Sequence, residues 1–292
     1  MRRSTTSVGT EASAGTRASA VTDTRARNRA RLAALLIAEL LCAVLLLDRG
    51  GATPDRGPGT TEAAPAALTT PTATTRAQTL SDGRTVHYAG LGGQRAEHLI
   101  ARVAAEMDGA AAAVTAFWGP DWPRAVTIVV AGTDAQFAAV GGGDAATAAT
   151  TTDDRIMFAP GAADMSPQAL RIVLRHELFH YAARARTAAD APRWLTEGMA
   201  DFVGRPAAPP PAGTALSLPT DADLSGPDRS SAYDRAWWFT RFVADRYGVG
   251  ALRELYLAAC APGHPDVATA IRDTLGAGQA TVLAQWRQWA GN

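Results

Sequence analysis

Two histidines stand four residues apart in His176-Glu177-Leu178-Phe179-His180, and a glutamate directly follows the first. On a helix, residues at that spacing lie on one face, about one turn apart. Two imidazoles placed so can bind one metal ion from the same side. Glu177 then lies close to the ion without having to ligate it. The set suits hydrolysis by a metal-activated water, with two nitrogen ligands and a carboxylate poised to take the water's proton. The chain has five histidines in 292 residues, and two of them fall in this pentapeptide. His87 and His98 belong to no motif and read as non-functional, and His264 sits in a Pro-Gly-His-Pro turn.

The pattern needs a helix beneath it. Ser166-Pro167 is a start signal, a serine able to cap followed by proline at the first helical position. Leu170, Val173, Leu174, Leu178 and Tyr181 follow at helical spacing, with no Gly or Pro from Gln168 to Arg186. The spacing predicts a helix over 166–186. A catalytic zinc ion usually takes three protein ligands and keeps one position for water. A third histidine six residues after the second, with glycine midway, would complete such a set, but Ala183 and Arg186 exclude it. The alternative is a glutamate from a following helix. Pro192 and Gly204-Arg205-Pro206 bound such a helix, and Glu197 lies on it, 17 residues after His180. A short loop over about 187–191 then joins two antiparallel helices. Asp201 lies four residues after Glu197, on the same face. A metal-bound histidine normally donates its other N–H to a carboxylate or carbonyl, so Asp201 is the candidate partner, directed at His176.

HELFH followed by PRWLTEGMADF resembles the gluzincin zinc metallopeptidases. It looks most like their short peptidase MA-like domains, related to thermolysin and the M1-type aminopeptidases. The resemblance implies one catalytic Zn2+ held by His176, His180 and Glu197, with Glu177 as general base. The Glu197/Asp201 pair matches the family's Glu-x-x-x-Asp pattern. The implied fold is α+β: a zincin-like domain with a small N-terminal mixed sheet and the HExxH helix, followed by an all-helical C-terminal part. An edge strand beside the cleft would pair with substrate backbone, a role for Ile156-Met157-Phe158 or the preceding strand. The oxyanion would take a donor from downstream of the third ligand; Tyr233 is the candidate and His264 a weaker one. The implied activity is hydrolysis of a peptide or protein substrate. The alternative is a zinc-containing peptide-binding or sensing module without turnover. No GxMEN-like amine-recognition segment is present, which points toward endopeptidase action.

The remaining chain supplies context. Arginine and acidic residues balance at 28 each, and all the basic residues are arginine, so nothing suggests a nucleic-acid partner. Residues 1–31 are polar with seven arginines and read as a basic cytoplasmic tail. Leu32 to Leu47 is an apolar run broken only by Glu39, short of the ~20 residues of a spanning helix. It reads as an uncleaved signal-anchor, or as the apolar core of a cleaved signal peptide. Both place the rest outside the cytoplasm, either on the cell membrane or secreted. Residues 48–78, rich in Thr, Pro and Ala, read as a linker, and 79–292 as the catalytic domain. Within it we expect a helix over 94–117, a buried strand at 125–130, a short helix over 134–140, strands at 145–152 and 155–158, and a loop over 205–230. Ser231 would then cap a helix over 232–247, with helices following at about 250–260, 265–275 and 279–290. Cys42 falls in the apolar run and Cys260 reads as a core residue, so no intramolecular disulfide is expected. The sequence carries no signal of oligomeric state.

Overall fold

The computed structural model describes residues 73–139 and 147–291, all within one unit, Leu68–Asn292, of the two into which the chain divides. The expected basic tail, apolar segment and most of the linker lie outside the described residues, as does the glycine-rich stretch at 140–146. Among the described residues, no helix is long and apolar enough to cross a membrane.

The architecture is α+β, a small mixed sheet followed by a largely helical remainder. Strands β1 (Thr74–Thr79) and β2 (Thr85–Gly90) form an antiparallel hairpin. Helix α1 (Gly93–Trp118) then crosses over to β3 (Ala125–Val130), parallel to β2. After the short α2 (Asp134–Ala139) come β4 (Ala149–Thr151) and β5 (Ile156–Phe158). The strand order is β1-β2-β3-β5-β4, with β5 parallel to β3 and antiparallel to β4. That puts β4 at the edge, as the strand preceding Ile156-Met157-Phe158, and β5 in the interior.

The β3 run Ala-Val-Thr-Ile-Val-Val alternates as a buried strand must. Val126, Ile128 and Val130 join the main core, while Val129 packs on the opposite face with Phe137 and Met157. Along α1, Leu99, Val103, Met107 and Val114 recur at helical spacing and are fully buried. Helix α3 (Pro167–Ala183) lies against α1. Its start follows the sequence signal, with Pro167 in the first turn and the Ser166 hydroxyl accepting from the Ala169 amide at 3.2 Å. Leu170, Leu174 and Leu178 anchor it, each burial favourable by about 1.5–3 kcal/mol. The Tyr181 hydroxyl donates to the Ala125 carbonyl at 2.9 Å and ties α3 to the sheet. The α-helix stops at Ala183, and a 3₁₀ turn carries the chain through Arg186.

Helix α4 (Arg193–Gly204) is wedged between α3 and the C-terminal helices α6 (Arg229–Tyr247) and α7 (Val249–Cys260), with α8 (Val267–Leu275) packed on α7 and α9 (Gln279–Trp289) on α6 and α8. The closest approach is at Gly198, where a methyl group would sit 2.6 Å from the Ala236 carbonyl oxygen of α6. Phe239 of α6 meets both Trp194 of α4 and Trp286 of α9 edge to face, each at 5.3 Å. Cys260 is buried in this core, and burial pushes its thiol up to about 12.

Other boundaries differ from the sequence expectations as well. The sheet starts at Thr74, inside the stretch whose composition suggests a linker. The expected loop over 205–230 contains α5 (Asp221–Ser225), closed by a capping box in which Thr220 and Asp223 bond each other's backbone amides. Helix α6 begins at Arg229 with Asp228 at the cap position, so Ser231 lies within its first turn rather than capping it.

Candidate metal centre and its cleft

Helices α3 and α4 bring three ligand atoms to one point. Nε2 of His176 and Nε2 of His180 are 3.1 Å apart. Oε2 of Glu197 lies 3.2 Å from the first and 3.5 Å from the second. These three are the group of residues that could hold a metal ion among the described residues. Tetrahedral zinc with bonds of about 2.0–2.1 Å needs ligand-to-ligand edges of about 3.3–3.4 Å. The observed triangle has that size. The donor set also fits: the His176 Nδ1–H donates to Oδ1 of Asp201 at 2.9 Å, so that loss of the Nε2 proton leaves a lone pair facing the triangle. Two bare imidazole nitrogens and a carboxylate oxygen at this range repel unless a proton or a cation lies between them.

The electrostatics describe the same gap. Burial opposes a charge on His176, but the hydrogen bonds it donates to Asp201 and Glu197, with the charges of Asp201 and Glu177 added, outweigh it and hold its pKa well above the usual histidine value. Burial likewise opposes ionisation of Glu197, but its hydrogen bonds to His176 and His180 hold its carboxyl far below the usual range.

Asp201 is itself held. It is buried on α4, and its Oδ2 accepts from Nη1 of Arg205 at 3.1 Å. Arg205 also donates to Oδ1 of Asp234 at 2.8 Å and lies over the Trp237 ring at 3.9 Å. A chain Asp234–Arg205–Asp201–His176 thus runs from α6 to the metal-facing imidazole. Sequence reading missed Arg205 and Asp234; the i,i+4 spacing of Asp201 and Arg205 was a signal that could have found the first.

Glu177 is buried beside the triangle, and Oε2 of its carboxylate accepts from the Thr151 hydroxyl of β4 at 2.7 Å. Thr151 carries no motif that sequence reading could have used. Tyr233 lies in the second turn of α6 and lines the same cleft. Its hydroxyl is 3.5 Å from Nη2 of Arg193, whose Nε in turn lies 3.8 Å from Glu197. Burial, then the charge of Glu197, raises the Tyr233 pKa, so the phenol stays protonated and able to donate. His264 does not line the cleft; its Nδ1 donates to the Pro265 carbonyl at 2.8 Å. His87 and His98 are exposed, on β2 and α1.

The cleft holds about 1350 Å³, more than the ~300–1,000 Å³ of a small-molecule pocket. It is lined by the β4 segment, by residues of α3 and α4, and by α5 with the start of α6.

No family model and no curated protein matches the chain. Among solved structures it is similar to a point variant of an M1 zinc metallopeptidase from Deinococcus radiodurans, at 12% identity and a TM-score of 0.44, covering 75% of this chain and 52% of that one. It is also similar to a two-domain M1 zinc metallopeptidase variant bound to L-arginine, at 15% identity and a TM-score of 0.40, covering 75% of this chain and 51% of that one. The chain thus spans about half the length of these structures.

Proposed function

We propose that this chain is a zinc-dependent peptidase whose centre is His176, His180 and Glu197. The observation that carries the reading is the triangle of ligand atoms at 3.1, 3.2 and 3.5 Å, with the Glu177 carboxylate beside it in a peptide-sized cleft. Zinc held by these three residues would supply a water of pKa lowered toward ~7 and Lewis-acid polarisation of the scissile carbonyl. Oε1 of Glu177, the oxygen not engaged by Thr151, accepts the proton of the attacking water and delivers it to the leaving nitrogen. Asp201 keeps the His176 proton on Nδ1 and so keeps Nε2 a ligand. The Tyr233 hydroxyl donates to the developing oxyanion. Among the described residues, the outer edge of β4 has no strand partner, and it offers its backbone to an extended peptide.

The test is a diverse peptide library incubated with the purified full chain and zinc, with fragments mapped by mass spectrometry. Discrete cleavages that stop on chelation are expected; stoichiometric zinc with no cleavage anywhere in the library would refute turnover. We also place the domain outside the cytoplasm on a membrane anchor, on the strength of the basic stretch 1–31 followed by the apolar run 32–47. Fractionation checks this: the full chain should sediment with membranes and a chain starting at residue 48 should not, and identical partitioning would remove the anchor.

A further inference from the structure

We infer that Thr151 is a positioning residue that ties the general base to the strand on which the substrate docks. The inference deepens the peptidase reading and rests on it. Thr151 Oγ1 lies 2.7 Å from Oε2 of Glu177 and 3.0 Å from the Glu177 backbone oxygen. The hydroxyl has one proton to give, and the shorter contact, to a charged acceptor, takes it. Among the described residues this is the one side-chain donor to the Glu177 carboxylate. A buried carboxylate without it loses both a charge-assisted bond and its fixed rotamer. With Oε2 held, Oε1 is the oxygen left to exchange protons in the cleft.

The position of Thr151 on β4 gives that bond its meaning. In an antiparallel pair, residues alternate between those whose N–H and C=O point at the partner strand and those whose groups point away. The Thr152 amide donates to the Arg155 carbonyl at 2.9 Å, and the Ala148 carbonyl accepts from the Ala159 amide at 2.9 Å. Thr152, Thr150 and Ala148 therefore face β5. Ala149 and Thr151 turn their backbone groups the other way, toward the side of β4 that has no strand partner among the described residues, and both residues line the cleft. A peptide pairing with β4 bonds to the backbone of Ala149 and Thr151. The same residue then holds the substrate by its main chain and the base by its side chain. Substrate position and base position share one anchor, which fixes the distance between Glu177 and the scissile bond. Displacements of about 1 Å in such geometry can cost 10²-fold in rate.

The test uses the zinc-loaded full chain with Thr151→Val, which removes the hydroxyl at nearly constant shape, and Thr151→Ser, which keeps it; Thr151→Ala serves if valine does not fold. Measured are kcat and KM on a cleaved peptide, zinc content, Tm, and the Glu177 rotamer in crystals of each variant. Thr151→Val should lower kcat about 10–100-fold with KM changed less than about threefold. Zinc content should hold, Tm should fall by only a few degrees, and the Glu177 side chain should leave its single rotamer. Serine should restore both the rate and the rotamer. Wild-type kcat and an unmoved Glu177 in Thr151→Val, or a serine variant as slow as the valine one, would overturn the inference while leaving the peptidase reading intact. An inactive, zinc-loaded wild type would overturn the peptidase reading, and this inference with it.

Discussion

The same substitution, glycine to alanine, should have opposite effects at Gly198 and Gly109. Both lie inside helices, where alanine is favoured over glycine by about 1 kcal/mol. Gly109 is on the exposed face of α1, and nothing lies within 4 Å of the methyl that alanine would add. Gly109→Ala should therefore stabilise by about 0.5–1 kcal/mol, a Tm rise of about 1–4 °C for a domain of this size. At Gly198 the methyl would meet the Ala236 carbonyl oxygen at 2.6 Å and its carbon at 2.8 Å. These are backbone atoms and cannot swing aside. Reaching an ordinary contact of 3.4 Å requires α4 and α6 to part by 0.8 Å (3.4 − 2.6). Overpacking of this kind costs about 1–3 kcal/mol, so the net loss after the helix gain is up to about 2 kcal/mol, or roughly 4–8 °C. The Thr240 hydroxyl, 3.0 Å from the Gly198 carbonyl, adds to the disturbance. Glu197 is the preceding residue, so its carboxylate moves with the helix, and zinc should bind at least about tenfold more weakly. Thermal unfolding of both variants, with and without zinc, and zinc competition against a chelator measure these effects. If Gly198→Ala gains stability as Gly109→Ala does, or keeps wild-type zinc affinity, then the α4–α6 contact does not seat Glu197.

Asp201→Asn should weaken zinc binding about 10–100-fold by loosening the His176 tautomer, and an unchanged chelator-competition titration would remove that role. Tyr233→Phe should lower kcat by about 10²–10³-fold with zinc content intact, and a kcat within a few fold of wild type would send the oxyanion role elsewhere. The metal-free protein should show a pH window. Glu197 has a lowered pKa, so its contribution is present above 4.5 and is lost as pH falls. His176 has a raised pKa, so its contribution is present below 6.5 and is lost as pH rises through its folded value. Tm with chelator present should thus be highest between these limits and fall on both sides; a flat alkaline side would contradict the charged His176. Zinc must displace that proton, so calorimetry at pH 7 in two buffers of different ionisation enthalpy should show proton release on zinc binding, and equal heats would count against it.

What the sequence made legible was local. The two site helices could be read because their signals lie within a turn or two of each other. Ser166-Pro167 opens α3, leucines recur along it, and Gly204 closes α4. Strand β1 was hidden because Thr-Thr-Arg-Ala-Gln-Thr is largely exposed on both faces and carries no apolar alternation. Helix α5 was hidden in a Pro- and Gly-rich stretch, although Thr220 and Asp223 carry a capping signature three residues apart. The shells around the site were harder still. Thr151 reaches Glu177 across 26 residues, and Arg205 reaches Asp234 across 29. Such contacts follow from how the sheet edge and α6 pack on α3 and α4, and periodicity does not record them.

The central claim is that Glu177 moves protons at a centre built from His176, His180 and Glu197. Zinc content and peptide turnover, measured side by side on the full chain and its Glu177→Gln variant, address it directly. The account predicts one zinc per chain in both and turnover in the wild type alone. Turnover in Glu177→Gln equal to wild type, or a wild type that binds no zinc, would contradict it.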